Sequence, residues 1–202
     1  VPWSSDADRL EAYLPARWRG VRVTAFRRLP GGYSKQTVMF ETEDAVHGHQ
    51  ALVIRAEQPG TPFFMDGADL ANEFPALRYA CRQGVPVAEP LWFESDPAHF
   101  GQRFIVTRRA TGTNQGDVFG GEGLGEGAIR SLVSTLAALH RTPLDHDDAD
   151  FSGSHLGRWA RHRTVDAHAA AFVDYWEGIA RKCHVVSPSI ARGFAWLKAN
   201  LP

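Results

Sequence analysis

The chain has 202 residues, with 22 lysines and arginines against 23 aspartates and glutamates and a formal net charge of −1. Such a balance offers no strongly basic field for nucleic acid, and no apolar run approaches the ~18 residues of a membrane span. A hydrophobic fraction of 44% beside 22% charged residues is ordinary for a globular protein, and this length can bury a sizeable core.

Residues 5–14 read as a short helix, with Ser4 or Ser5 as cap and Leu10, Tyr13 and Leu14 on one face. Strand signals follow at Val21 to Arg27, Gln36 to Glu43 and Gln50 to Arg55. The first two flank Pro30-Gly31-Gly32 as the arms of a hairpin, and His47-Gly48-His49 marks the next turn. Leu70, Phe74, Leu77 and Cys81 then recur at helical spacing, with Gly84 and Pro86 as stop signals. Pro75 would cost about 3 kcal/mol inside that helix but little in its first turn, so the pattern allows a start as late as Asn72.

Two more strands are expected at Pro90 to Ser95 and Arg103 to Arg108, joined around Asp96-Pro97. Glycines from Gly120 to Gly127 read as a connector, because they follow no strand of a βαβ unit. From Ile129 the pattern becomes helical, through Leu132, Val133, Leu136, Leu139 and His140. A second helix is expected between Leu156 and Cys183, with Val165, Ala169, Phe172, Trp176, Ile179 and Cys183 on one face. Ser187-Pro188 opens a last one, with Ser187 as N-cap, Pro188 at N1, and Ile190, Phe194 and Leu197 as its stripe. The change from strand-rich to helix-rich sequence places a domain boundary at 111/112. Val1 is not methionine, and the chain stops where the last helix would hand over to a further element; a fragment of a longer protein is the expectation. Cys81 and Cys183 make no disulfide framework, which favours a reduced, cytoplasmic compartment.

Within this frame one order of residues carries chemistry. Gly31-Gly32-Tyr33-Ser34-Lys35 lies between two strands, Arg55 ends the third, and Glu73 follows on a helix. A glycine hairpin, a strand-borne cation and a helix-borne carboxylate are what a kinase-like small lobe uses to hold the phosphates of ATP. Structural alternatives stand beside each: a plain hairpin turn, an exposed strand-end arginine, and a carboxylate favoured by a helix N-terminus.

These segments resemble the aminoglycoside phosphotransferase-like family of small-molecule kinases. The likeness runs through Gly31 to Thr37, Leu52-Val53-Ile54-Arg55 with Gln58-Pro59-Gly60, Asn72-Glu73-Phe74 to Pro90, Phe104-Ile105-Val106-Thr107 to Gly112, and Leu136 to His140. Arginine at the strand-three cation resembles the branch fused to acyl-CoA dehydrogenases. The resemblance implies an α+β, protein-kinase-like bilobal fold. Residues 1–111 would form a five-stranded antiparallel nucleotide-binding lobe with one main helix, and 112–202 the first helices of an incomplete C-terminal lobe. Gly31 and Gly32 would let backbone approach the phosphates, Ser34 would donate to a phosphate oxygen, Arg55 would bind the α- and β-phosphates, and Glu73 would orient Arg55. Thr107 to Ala110, including Arg108, would offer backbone groups to adenine.

The resemblance also implies a catalytic His-x-Asp-x-x-x-x-Asn loop and a metal-binding aspartate. His146-Asp147-Asp148 is a decoy, since Gly153 stands five residues after Asp148. The three asparagines, Asn72, Asn114 and Asn200, follow Gly67, Arg109 and Ala195 by five, so no Asp-x-x-x-x-Asn is present. No catalytic or metal-ligating residue is therefore assigned, and the Mg²⁺ ligands are expected beyond Pro202. The expected activity of the parent protein is ATP-dependent phosphoryl transfer to a hydroxyl of a small acceptor, with neither nucleic acid nor membrane as partner. A non-catalytic pseudokinase or binding module, and an antibiotic kinase of the aminoglycoside type, are the alternatives.

Overall fold

In the computed structural model, residues 7–30, 35–58, 69–112, 123–143, 145, 148–150, 162 and 164–201 are described. The first helix, α1, spans Ala7–Tyr13 and runs into a 3-10 turn at Leu14–Ala16. Five strands follow: β1 Arg22–Arg28, β2 Lys35–Asp44, β3 Gly48–Glu57, β4 Pro90–Glu94 and β5 Phe104–Arg108. Helix α2, Leu70–Arg82, lies between β3 and β4 in sequence. The strands form one antiparallel sheet in the order β1-β2-β3-β5-β4.

Alternation along the strands divides the sheet into two faces. Val38, Phe40, Leu52, Ile54, Ala56, Phe104 and Val106 point to one side and are buried with Leu10, Tyr13 and Leu14 of the N-terminal helical segment. Tyr13 meets Phe100 and Phe104 edge-on at 5.5 and 5.6 Å. Its hydroxyl donates to Glu94 Oε2 at 2.8 Å, and Arg17 reaches the same oxygen at 2.6 Å. Glu94 is only 4% exposed. Burial alone would raise its carboxyl pKa, but the N–H of Asp96, the Tyr13 hydroxyl and Arg17 together hold it below the usual 4.5. The opposite face carries α2, whose Phe74 lies 6.1 Å from Phe93 of β4.

Local signals account for most boundaries. Asp69 caps α2 by accepting from Ala71 N–H at 2.8 Å. At the other end Gly84 adopts φ +75°. Val85 N–H then bonds Ala80 O and Gly84 N–H bonds Cys81 O, each at 3.0 Å, as a Schellman stop does. Two expectations are refined. Helix α2 starts at Leu70, the first residue of the apolar face and earlier than the latest start expected, so Pro75 sits in its second turn rather than its first. The Asp69 cap and the Phe74–Phe93 contact fix the earlier start against that cost. The β2–β3 turn is also tighter than expected. Gly48 already pairs with Asp44 at φ +63°, and Asp44 Oδ1 accepts from the N–H groups of Val46 and His47 at 2.7 Å. Only Ala45–His47 remain as loop, a three-residue hairpin that needs one left-handed residue.

Beyond the sheet come α3, Glu126–Arg141, α4, Val165–Lys182, and α5, Pro188–Ala199. The last helix opens as the sequence predicts, with Ser187 Oγ accepting from Ile190 N–H at 3.3 Å and proline at the start. Lys198 of α5 reaches Asp174 and Glu177 of α4 at 2.6 Å each. The chain divides into two compact units, one running to residue 143 and the other beginning at 144. Helix α3 therefore groups with the sheet, and the boundary expected at 111/112 falls inside the first unit. None of the residues described in α3, α4 and α5 is fully buried. No described helix is long and apolar enough to cross a membrane.

Candidate functional site

Residues paired directly across antiparallel strands share a face. Thr37 pairs with Arg55 and Arg55 with Ile105, while Ile54 and Ala56 point into the core between them. Arg55 therefore emerges on the α2 side of the sheet. Its Nη1 lies 3.0 Å from Glu73 Oε1, one turn into α2. The Arg55 side chain remains 48% exposed, so its planar fork can accept a second anionic partner. The structure thus brings together the strand-three cation and the helix carboxylate singled out in the sequence.

The same face holds charges to which the sequence reading gave no role. Lys35 opens β2 opposite Glu57 of β3. Arg103 grips both oxygens of Glu57, at 2.9 and 2.8 Å, and reaches Asp69 Oδ2 at 3.0 Å. Arg103 thereby links the end of β3 to the cap of α2 and fixes where that helix begins. Burial would raise the Asp69 carboxyl, but Ala71 N–H and Arg103 outweigh it and hold the group below its usual 3.8. Lys35 is 6% exposed. Burial pushes its ammonium below the usual 10.5, while Glu57 and Glu73 pull the other way. The sequence signal for this cluster was present, as charges at consecutive strand ends. Only the register shows that they meet.

Gly31, Gly32 and Ser34 lie outside the described residues. What is described is the base of their hairpin: Arg28 pairs with Val38, and Leu29 N–H donates to Thr37 O at 2.9 Å. At the other expected contact region, Arg108 pairs with Leu52 and projects on the core side of the sheet, opposite Arg55. Its Nε donates to Glu89 at 2.7 Å and its Nη1 to Gln50. The backbone N–H groups of Arg108 and Arg109 donate to Glu89 O and Ala51 O, each at 2.9 Å. Neither N–H is left for a purine, and Arg109 and Ala110 are the exposed residues of this segment. Among the described residues no three His, Cys, Asp or Glu side chains converge as a metal site.

A family model described as the phosphotransferase enzyme family matches residues 25–202. The chain belongs to this phosphotransferase family. A search of curated proteins returns no match. Among solved structures, the chain is similar to a protein of Ralstonia eutropha JMP134 provisionally named an aminoglycoside phosphotransferase, at 18% identity and a TM-score of 0.57. The match covers 98% of this chain and 54% of the other, so the chain spans about half the length of that relative. At this identity the likeness establishes the fold, an α+β architecture of the kinase-like phosphotransferase kind. The five-stranded sheet with α2 between β3 and β4 is the phosphotransferase small lobe that the sequence led one to expect.

Proposed function

We propose that this chain is the nucleotide-binding part of a small-molecule kinase, which moves the γ-phosphoryl of ATP to a hydroxyl of a small acceptor. The observation that carries the reading is the Arg55–Glu73 pair, 3.0 Å apart on the sheet face that also carries α2. Glu73 orients the guanidinium, and the exposed half of Arg55 binds α- and β-phosphate oxygens in the manner of a fork. Gly31 and Gly32 supply close backbone approach and Ser34 a hydroxyl donor; Ala110 and its neighbours border the adenine. Mg²⁺ would supply neutralisation of the phosphate charge. Its ligands and the acceptor-positioning carboxylate are assigned outside these 202 residues, since no Asp-x-x-x-x-Asn occurs within them. The chain alone is accordingly non-catalytic in this reading, and the parent protein is cytoplasmic, where ATP is supplied. The affinity with the acyl-CoA dehydrogenase-associated branch rests on arginine at position 55. An aminoglycoside acceptor is the narrower alternative suggested by the name of the Ralstonia protein.

The test is nucleotide titration of the full-length protein and of its Arg55→Ala and Ser34→Ala variants. Loss of a charge-assisted contact at Arg55 is expected to weaken ATP about tenfold or more, with a smaller effect at Ser34. ATP affinity unchanged in both variants would sink the phosphate assignment.

A further inference from the structure

Six charged side chains meet at the start of β2 and the N-terminus of α2. Three are cations, Lys35, Arg55 and Arg103, and three are carboxylates, Glu57, Asp69 and Glu73. Arg103 is engaged by Glu57 and Asp69 together, and Arg55 by Glu73. Lys35 is the buried member, cross-strand from Glu57 and diagonal to Arg55. A lysine so placed costs stability through desolvation, which a neutral side chain of similar length would avoid. Its charge has a use only in relation to the groups around it.

That use follows from what Arg55 must do. A guanidinium held by Glu73 can receive a phosphate only if the carboxylates behind it do not repel the incoming anion. Arg103 is too committed to offset Glu73 as well. Lys35, on the strand next to Arg55, is attracted to both Glu57 and Glu73.

We propose that Lys35 is a positioning residue for the nucleotide phosphates: from the neighbouring strand it offsets negative charge of Glu57 and Glu73, and so lets Arg55 be shared with phosphate. The inference rests on the nucleotide reading of the Arg55 site and adds a residue to it. It gives phosphate affinity a dependence on one buried ammonium. The charged groups acting on that ammonium are Arg55 and Glu57 from β3 and Asp69 and Glu73 from the start of α2, with Arg103, from the segment before β5, bound to Glu57 and Asp69. As pH rises through the lowered pKa of Lys35 the ammonium becomes neutral, two cations are left against three carboxylates, and phosphate binding weakens.

The experiment titrates ATP, ADP and adenosine against the full-length wild type, Lys35→Met and Lys35→Arg, from about pH 7 to about pH 10. Lys35→Met is expected to lose about tenfold in ATP and ADP affinity at neutral pH while adenosine binding is unchanged. The wild type should show an alkaline fall in ATP affinity that Lys35→Met lacks. Lys35→Arg, charged throughout this range, should bind near wild-type strength without the fall, and it serves as the test if the methionine variant does not fold. Equal ATP affinity in wild type and Lys35→Met overturns the proposal. So does a parallel loss of adenosine binding, which would mark a merely structural lysine, or an unaltered alkaline fall in Lys35→Arg. A wild type that binds adenosine and ATP equally, or neither, instead removes the nucleotide reading on which the proposal rests.

Discussion

The sheet and helix α3 use apolar residues at equally regular spacing, with opposite results. Leu52, Ile54, Phe104 and Val106 recur at period two and are fully buried. Ile129, Leu132, Val133, Leu136 and Leu139 recur at helical period, and each is about half exposed, Leu132 at 59%. Both patterns produced the expected element. They differ in having a partner: the strands face α1 and one another within the first unit, whereas the stripe of α3 meets no equivalent surface among the described residues. Periodicity therefore says which face is apolar, and not whether anything covers it. Among the described residues, burial, and with it the hydrophobic contribution to stability, is concentrated around the sheet that carries Arg55.

The sharpest way to break this comparison is to empty a position in each region. Phe104→Ala should destabilise the protein by about 3–5 kcal/mol, through lost transfer energy and the cavity left behind. Chemical denaturation measures this, and a loss below ~1 kcal/mol would contradict a core centred on the sheet. A middle-sized effect tests the polar anchor of the N-terminal helix. Glu94→Gln should cost about 1–2 kcal/mol at neutral pH, because Tyr13 and Arg17 lose an ionised acceptor. Since the Glu94 carboxyl is held below its usual 4.5 in the folded protein, its contribution is present above that value and is lost as pH falls through the folded pKa. Thermal melts in acid should accordingly fall less steeply for Glu94→Gln than for the wild type. Parallel curves would mean that Glu94 has the same pKa folded and unfolded. The smallest effect belongs to α3, where Leu132→Ala should change stability by less than ~0.5 kcal/mol. A core-sized loss there would show that the stripe is covered in solution.

Several elements could be read from the chain because their causes are local. Ser187-Pro188 supplies both the hydrogen-bond acceptor and the preset φ of a helix start, and α5 begins there. Gly84 supplies the left-handed residue that ends α2. Arg55 and Glu73 could be paired in advance because a strand-end cation and a carboxylate near a helix start were placed in a known order. Other elements escaped because their causes are distant. The start of α2 at Leu70 depends on Asp69, which Arg103 ties to Glu57 from a segment more than thirty residues further on. Lys35 looked like a loop-tip residue until the β2–β3 register set it against Glu57. The direction of the Arg108 side chain was not legible either: the parity of its pairing with Leu52 turns it to the core side.

The sequence by itself determined the elements, their order and the two charged residues, Arg55 and Glu73, that the fold brings together. Hydrogen-bonding caps, glycine φ angles and side-chain periodicity act over a few residues and leave their mark in any short window. The tertiary structure decided which apolar faces are covered and which charges share a face. Both depend on strand register and on what packs across the sheet, and a shift of one residue in register exchanges the two faces.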